Sequence, residues 1–511
     1  LTGARDWHLQ GRSGAGIRVA VIDLEFGGLP AAISAGELTH VIATVDYTGT
    51  GMETGGVHGT ACAEIVQDMA PEAELILMKI SNEVDLANAV SYALGLGVKV
   101  ISHSVGWFNT NFYDGTGVIC DIVRTATDVG VLWVNSAGNY AAGSHWEGPW
   151  WDADANGVLD FSPGMEFNTF FLPAGTPFAV WLTWADWPTS DQDYDLYLFN
   201  MATMEVVASS TGFQTGTQPP AEALFYVPPN DGMFGLEIVA YDAPAAPPLE
   251  LFCAPNGVDL STPVAASSIP APGNATHVLT VGAISWQHWS TGPQEPFSSQ
   301  GPTNLGEIKP DLCAPDGVST LSYGAEAFLG TSAAAPHVAG AAALAWSTNS
   351  TWDAGQVRSY LESNAVDMGV AGRDNVFGAG RLRLSTPGGG PPPPPTPGGR
   401  SHTYLAGWNL ASIPVMPADA SPEAVWGDDL PRVVVWQWSP CENEYVVPIR
   451  LSPGLGHWLL IPVGGATVDV DGGEVVSDIT VDLPCLGWNM VSAPWGYPVS
   501  AIQFTRGTDT K

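Results

Sequence analysis

One stretch restricts the fold more than any other: Gly330-Thr331-Ser332-Ala333-Ala334-Ala335-Pro336-His337-Val338-Ala339-Gly340, followed by an alanine-rich run to Trp346. Gly330 permits a tight bend, and Ser332 stands where an N-cap or first-turn residue belongs. Pro336 near a helix start costs little, because the first N–H groups have no intrahelical acceptor. The Ala/Gly surface from Ala339 to Ala345 lets other backbone approach closely, which predicts a central, buried helix. A serine at the mouth of such a helix has a fixed position, and the helix dipole favours negative charge beside it. Taken alone, an alanine-rich helix is ordinary structure, so the rest of the chain has to decide.

On the N-terminal side, strand-length apolar runs alternate with helical periodicity. Residues 17–22 form an apolar run that ends in Asp23, the pattern of a buried parallel strand. His58-Gly59-Thr60 opens a helix, and strands at 73–80, 98–105 and 131–135 alternate with helices at 83–96 and 118–129. Such alternation predicts an α/β fold, a parallel sheet with helices on both faces. Right-handed crossovers bring the strand carboxyl ends to one edge, where open α/β sheets place their chemistry. Asp23, Ser104 and Asn139 fall at or just past strand ends, and His58 and Ser332 at helix starts. Asp23 reads equally well as a turn-forming residue on its own stretch.

From about Ser144 the pattern changes to short alternating runs rich in Trp, Pro, Asp and Gly, as at 178–184, 194–199 and 235–240. These predict an antiparallel β-sandwich. The parallel pattern returns near Val264 with a strand at 277–284. The reading is therefore a split first domain, 1–144 and 263–385, with a β domain inserted at 145–262, and insertions of this kind are tolerated at exposed loop tips. Helical pattern is expected to continue to near Leu384. Residues 386–400, with prolines at 391–395 between glycines, read as a stiffened linker. A Trp-rich C-terminal β domain, 401–511, follows. In it Gly407-Trp408-Asn409 recurs as Gly487-Trp488-Asn489. Either two strands of one sandwich share a pattern, or a second repeat is cut off near Lys511.

Composition removes several classes of function. With 16 Lys+Arg against 52 Asp+Glu the formal charge is −36, which repels nucleic acid and anionic membranes and suits an extracellular medium. No apolar run reaches membrane-spanning length. The chain starts at Leu1 without a signal peptide, and is read as one whose leader has been removed. Six cysteines are too few for a disulfide scaffold. Cys441 and Cys485 lie in one region and are placed to pair, whereas Cys62, Cys120, Cys253 and Cys313 are dispersed.

A serine hydroxyl is a weak nucleophile at neutral pH; it needs a base in hydrogen-bond reach, and the base needs an orienting anion. A tetrahedral oxyanion needs aimed donors. Asp23, His58, Asn139 and Ser332 supply these four roles, in that chain order. Four blocks then carry a resemblance: Val19-Ala20-Val21-Ile22-Asp23, His58-Gly59-Thr60, Ser136-Ala137-Gly138-Asn139, and the Gly330–Gly340 stretch. In them the chain resembles the subtilisin-like serine peptidases, whose triad runs Asp, His, Ser. The resemblance covers about 5–144 and 264–385. It implies Ser332 as nucleophile, His58 as base and then acid, and Asp23 as its orienting anion. It also implies Asn139 and the Ser332 N–H as oxyanion donors, and a substrate strand pairing along Ser104 and Gly106, a β-augmentation.

The chain departs from the family after its aspartate, where Leu24-Glu25-Phe26 replaces the usual small residues and leaves the hydrogen bonding of Asp23 open. Cys62, one turn after His58, reads as a buried, inert thiol. Trp107 and Phe108 line either a substrate pocket or the core. Asp152, Asp154, Asn156 and Asp160 match the start of a calcium loop, but position twelve is Pro163, so a looser calcium site or an Asp/Asn/Gly turn is expected there. Asp191, Asp193 and Asp195 form a second acidic cluster, either a calcium site or a solvated loop. No cofactor is needed for the chemistry.

The expected function is that of a secreted or cell-surface serine endopeptidase, monomeric, acting on protein or peptide substrates, with a C-terminal domain available to bind a surface or substrate. The alternative is a non-catalytic adhesion or binding protein on the same scaffold. An α/β-hydrolase esterase is excluded because neither Gly-x-Ser-x-Gly nor the order Ser, Asp, His occurs.

Overall fold

Strand β1 (Arg18–Asp23) is buried from Val19 to Asp23 because both of its faces are covered. It is the third strand from one edge of a seven-stranded sheet. The computed structural model describes residues 1–385 and, beyond them, 400–404, 407–411, 415–416, 421, 434–439, 444–448, 451, 457–461, 466–470 and 474–475. The sheet adds β2 (Val41–Asp46), β3 (Glu74–Lys79), β4 (Val100–His103), β5 (Leu132–Ser136), β14 (Leu279–Ser285) and β15 (Leu312–Asp316). Their order is β15-β14-β5-β4-β1-β3-β2, and every pairing is parallel. All carboxyl ends therefore lie along one edge.

The expected α/β sheet is present, with differences at its margins. The half-exposed edge strand β2 and the short helix α2 (Leu29–Ala35) escape the sequence reading, because an edge strand buries too little to give a long apolar run. At the other end, α7 (Ala354–Asn364) stops twenty residues before Leu384. The expected helical continuation is replaced by irregular chain that Gly369, Gly372, Gly378 and Gly380, all at positive φ, bend repeatedly.

Helix α6 (Thr331–Thr348) is the buried centre, with Ala333–Pro336 and Val338–Trp346 all inside. It packs on α3 (His58–Met69) and on β4, β5, β14 and β15. Gly340 sets the approach of the two helices: a Cβ there would stand 2.4 Å from Met69 Cβ and 3.1 Å from Val66 O. The expectation for Pro336 needs correction. It is the sixth helical residue, beyond the first four N–H groups that lack acceptors. Its missing N–H deprives Ser332 O of an intrahelical donor, and Ser104 Oγ (3.2 Å) and Cys62 Sγ (3.5 Å) donate to that carbonyl instead.

Between β5 and β14 lie two four-stranded antiparallel sheets. The first contains β7 (Asn168–Leu172), β9 (Asp193–Asn200), β10 (Glu205–Ser210) and β12 (Gly232–Asp242). The second contains β6 (His145–Gly148), β8 (Phe178–Trp184), β11 (Ala221–Tyr226) and β13 (Leu249–Ala254). Their facing side chains form a separate core that includes Phe170, Phe178, Leu182, Leu196 and Ile238. This sandwich grips the chain just after Gly106. Phe108 stacks on Trp181 at 4.5 Å, Asn109 Nδ2 donates to Glu222 O at 2.9 Å, and Asn304 Nδ2 donates to Glu250 Oε2 at 2.6 Å. Phe108 is thus a packing residue, and Trp107 is tied by its indole N–H to His103 Nε2 at 3.2 Å.

Residues 390–511 form a second compact unit. Gly407–Ala411 is a strand of a four-stranded sheet with Val435–Ser439, Glu444–Val446 and His457–Ile461. The linker at 386–399, Cys441, Cys485 and the second Gly-Trp-Asn block lie outside the described residues. Among the described residues, no helix is long and apolar enough to cross a membrane.

Candidate active site

Asp23 closes β1 and His58 opens α3. Gly59 lets them meet, because a Cβ at 59 would stand 2.7 Å from Asp23 Cβ and 2.7 Å from Glu25 O. Asp23 Oδ2 accepts from His58 Nδ1 at 2.8 Å, and Asp23 Oδ1 accepts from Leu24 N–H at 2.7 Å. The backbone thus supplies the hydrogen bond that the unusual Leu24-Glu25-Phe26 sequence had left open. Glu25 also binds the loop before His58, accepting from Gly56 N–H at 2.6 Å, while Phe26 is buried. With its proton on Nδ1, neutral His58 keeps its Nε2 lone pair for a substrate-side proton. Burial pulls the His58 pKa down, but the charge and hydrogen bond of Asp23 outweigh it, and the net direction is upward.

Ser332 is the second residue of α6, after the N-cap Gly330. Its N–H lies in the first turn and so has no acceptor within the helix. Asn139 follows the end of β5 and faces the same turn. Its Oδ1 accepts from both Thr331 N–H and Thr331 Oγ1–H, each at 3.0 Å, and Gly138 N–H donates to Thr331 Oγ1 at 3.0 Å. With the amide oxygen so occupied, the Asn139 N–H₂ group is left to donate elsewhere. The Ser332 hydroxyl makes no hydrogen bond to His58 in this structure. α3 and the serine turn are instead joined through Cys62 Sγ and Ser332 O. In hydrolases without substrate the serine–imidazole bond is commonly long and closes in the Michaelis complex.

Sequence reasoning missed three supports of this site. Glu64, buried on α3, accepts from Leu321 N–H at 2.7 Å and from Ser322 Oγ at 2.5 Å. It thereby anchors the hairpin of β16 (Val318–Thr320) and β17 (Gly324–Phe328), whose Phe328 meets His58 edge-on at 5.6 Å. His103, fully buried, donates from Nδ1 to Ile22 O at 2.8 Å and is held neutral by burial, its pKa lowered to about 4. Asp316, at the end of β15, accepts from Gly330 N–H at 3.0 Å, and burial raises its pKa to about 7. A lone Glu within a helix or Asp at a strand end carries no signal that distinguishes these roles.

The other expected positions separate. Ser104 turns its hydroxyl to Ser332 O, and the backbone beyond Gly106 is engaged where Trp107 N–H donates to Ala271 O at 2.8 Å. Among the described residues, Asp152, Asp154 and Asp160 do not bring three carboxylate oxygens within 4.8 Å of one another. Instead Asp152 accepts from Gly157 N–H at 2.8 Å, Asn156 Oδ1 from Val158 N–H at 2.8 Å, and Asp160 from Ala153 N–H at 2.9 Å. These three side-chain oxygens accept from the backbone of their own loop. Cys62, Cys120, Cys253 and Cys313 are free and buried, and burial raises the Cys62 pKa well above that of an ordinary thiol.

Comparison with known proteins places these features in context. A profile of the Subtilase family matches residues 202–380. Subtilisin E of Bacillus subtilis (strain 168) is 38% identical over 103 residues, 20% of this chain and 25% of that protein. Serine protease AprX of the same organism is 33% identical over 144 residues, 24% of this chain and 32% of that protein. An extracellular serine protease of Serratia marcescens is 47% identical over 55 residues, 11% of this chain and 5% of that protein. The chain thus spans about a quarter of the length of the curated subtilisins it matches. The solved structure of the Clostridium perfringens CspB protease superposes with a TM-score of 0.54 at 15% identity, covering 74% of this chain and 95% of that one. At that identity the likeness is one of fold.

Proposed function

The chain belongs to the subtilase family, and from that premise we propose that it is a secreted serine endopeptidase working through an acyl-enzyme. Ser332 Oγ attacks the carbonyl carbon of the scissile peptide while His58 Nε2 takes its proton. Asp23 stabilises the imidazolium that forms. The Asn139 amide and the Ser332 N–H hold the oxyanion. His58 then returns the proton to the leaving amine, and water repeats the sequence to release the acid. The observation that supports this reading most is the chain Leu24 N–H to Asp23 to His58 Nδ1, with both bonds short and the carboxylate buried. It fixes the imidazole in the tautomer a general base needs.

No cofactor enters this chemistry, and calcium has a structural role only. The substrates are proteins or peptides, bound as an added strand along Ser104 and Gly106. The protein is a monomer in the extracellular medium or at the cell surface, and the C-terminal unit binds a surface or the substrate. A fluorophosphonate probe tests the nucleophile: the parent is labelled and Ser332→Ala is not. Undiminished labelling of the variant refutes the assignment, and a parent that neither labels nor cleaves casein is the outcome expected of a non-catalytic binding protein.

A further inference from the structure

One proline ring occupies the space between the two chain segments that hold the acyl side of a substrate. Gly106 ends the segment that begins at Ser104, and Gly138 precedes the oxyanion residue Asn139. A Cβ at Gly106 would stand 2.9 Å from Pro270 Cγ, and a Cβ at Gly138 would stand 2.9 Å from Pro270 Cδ. The pyrrolidine ring therefore touches both walls and leaves no gap between them at its own depth.

The ring is fixed where it stands. Pro270 is buried, and its closed ring cannot swing aside as an open side chain can. After it, Ala271 O accepts from Trp107 N–H at 2.8 Å, and before it, Ser268 N–H donates to Gln300 O at 3.0 Å. The wall at Gly138 is tied down as well. Ser299 N–H donates to Gly138 O at 2.9 Å, and Ser299 Oγ accepts from Tyr140 N–H at 3.1 Å. Phe108 and Tyr140, one from each segment, meet edge-on at 5.4 Å and join the two walls a second time.

We propose that Pro270 is the floor of the pocket for the acyl residue and restricts cleavage to peptide bonds that follow glycine, alanine or serine. This rests on the endopeptidase reading above. A substrate strand along Ser104 and Gly106, with its scissile carbonyl between Asn139 and the Ser332 N–H, sends the side chain of that same residue between these walls. A larger side chain has to move buried backbone rather than turn a rotamer, and overpacking of that kind is unfavourable. The atoms nearest the two missing Cβ positions belong to Pro270, Phe108, Ser299 and Tyr140, none of them charged. A lysine or arginine acyl residue therefore finds neither room nor a countercharge.

The test uses the full chain and tetrapeptide anilides that differ only in the acyl residue: glycine, alanine, serine, leucine, phenylalanine or lysine. Active enzyme is counted by fluorophosphonate titration. One misfitting methylene is worth about tenfold or more, so kcat/KM after alanine should exceed that after phenylalanine by at least ~100-fold. Pro270→Gly lowers the floor, and the alanine-to-phenylalanine ratio should fall by about tenfold or more. A ratio within one variant is not moved by general damage to the fold. If Pro270→Gly fails to fold, Pro270→Ala takes its place. Inactivation rates with peptidyl phosphonates bearing alanine or phenylalanine side chains repeat the comparison by covalent capture alone. The proposal is overturned if the labelled parent cleaves after phenylalanine or leucine as readily as after alanine. It is equally overturned if the Pro270 variant keeps the parent's ratio. A parent that the fluorophosphonate does not label sinks the endopeptidase reading itself, and the proposal with it.

Discussion

Thr331→Val tests how the oxyanion donor is aimed. Thr331 is fully buried, and valine keeps its shape while removing the hydroxyl. Two contacts go with it, the 3.0 Å bond to Asn139 Oδ1 and the acceptor for Gly138 N–H. Asn139 keeps only the Thr331 N–H at 3.0 Å. Loss of one neutral hydrogen bond is worth about 1 kcal/mol, which amounts to roughly fivefold in turnover when the whole loss falls on the transition state. Loss of the amide altogether, as in Asn139→Ala, sets the ceiling at ~10²–10³. The expected fall in kcat for Thr331→Val is therefore about 5–20-fold, with KM nearly unchanged because the interaction forms only as the oxyanion does. The assay is steady-state cleavage of a peptide amide, with active enzyme counted by fluorophosphonate titration. Because Thr331 acts through Asn139, the double variant should turn over no more slowly than Asn139→Ala alone. Additive losses would refute the positioning role and leave Thr331 as a packing residue.

Other expectations follow from the same geometry. Activity should fall in acid as His58 is protonated. Its pKa is raised by Asp23, so the acid limb of kcat/KM should lie above the ordinary imidazole value, and a flat profile there would count against His58 as base. The raised Asp316 carboxyl holds its proton more tightly in the folded state than in the unfolded one. Stability from this group is therefore present below about pH 4 and lost as pH rises towards 7; denaturant melts of parent and Asp316→Asn should converge in acid and separate at neutral pH, the variant being the more stable. Asp311 is buried among Lys309 (2.7 Å), Arg358 (2.6 Å) and Arg373 (3.0 Å). Asp311→Asn leaves buried Lys309 without its anion, while Arg358 and Arg373 keep Glu362, and should cost about 3–5 kcal/mol in chemical denaturation; a loss under 1 kcal/mol would mean that the cluster rearranges freely. The four described cysteines should resist iodoacetamide in the native state and react after denaturation, so native alkylation of Cys62 would contradict its burial.

How much of this was legible depends on how each residue signals itself. Asp23, His58, Asn139 and Ser332 stood out because strand ends and helix starts can be read from apolar periodicity, and their local sequences are distinctive. The parallel sheet was readable for the same reason, since its central strands are continuous apolar runs. Edge strand β2 was not, because only part of it is covered. Glu64, His103 and Thr331 were invisible as supports: each is an ordinary residue whose partner lies far along the chain, and only the fold creates the contact. Pro336 was seen but misjudged, because its effect depends on which helical position it holds. At Asp152–Asp160 the spacing suggested a metal site, and in the fold Asp152 and Asp160 accept from the backbone of their own loop.

The proline within α6 has a consequence for how the pocket is put together. Because Pro336 has no proton to offer, a single carbonyl, that of Ser332, touches groups from two other segments, the helix that begins with His58 and Ser104 just past the end of β4. Three separately folded pieces therefore report to one oxygen. An isotope label at that carbon would give an infrared band that shifts when any one of them is displaced, a direct spectroscopic gauge of whether the pocket is assembled.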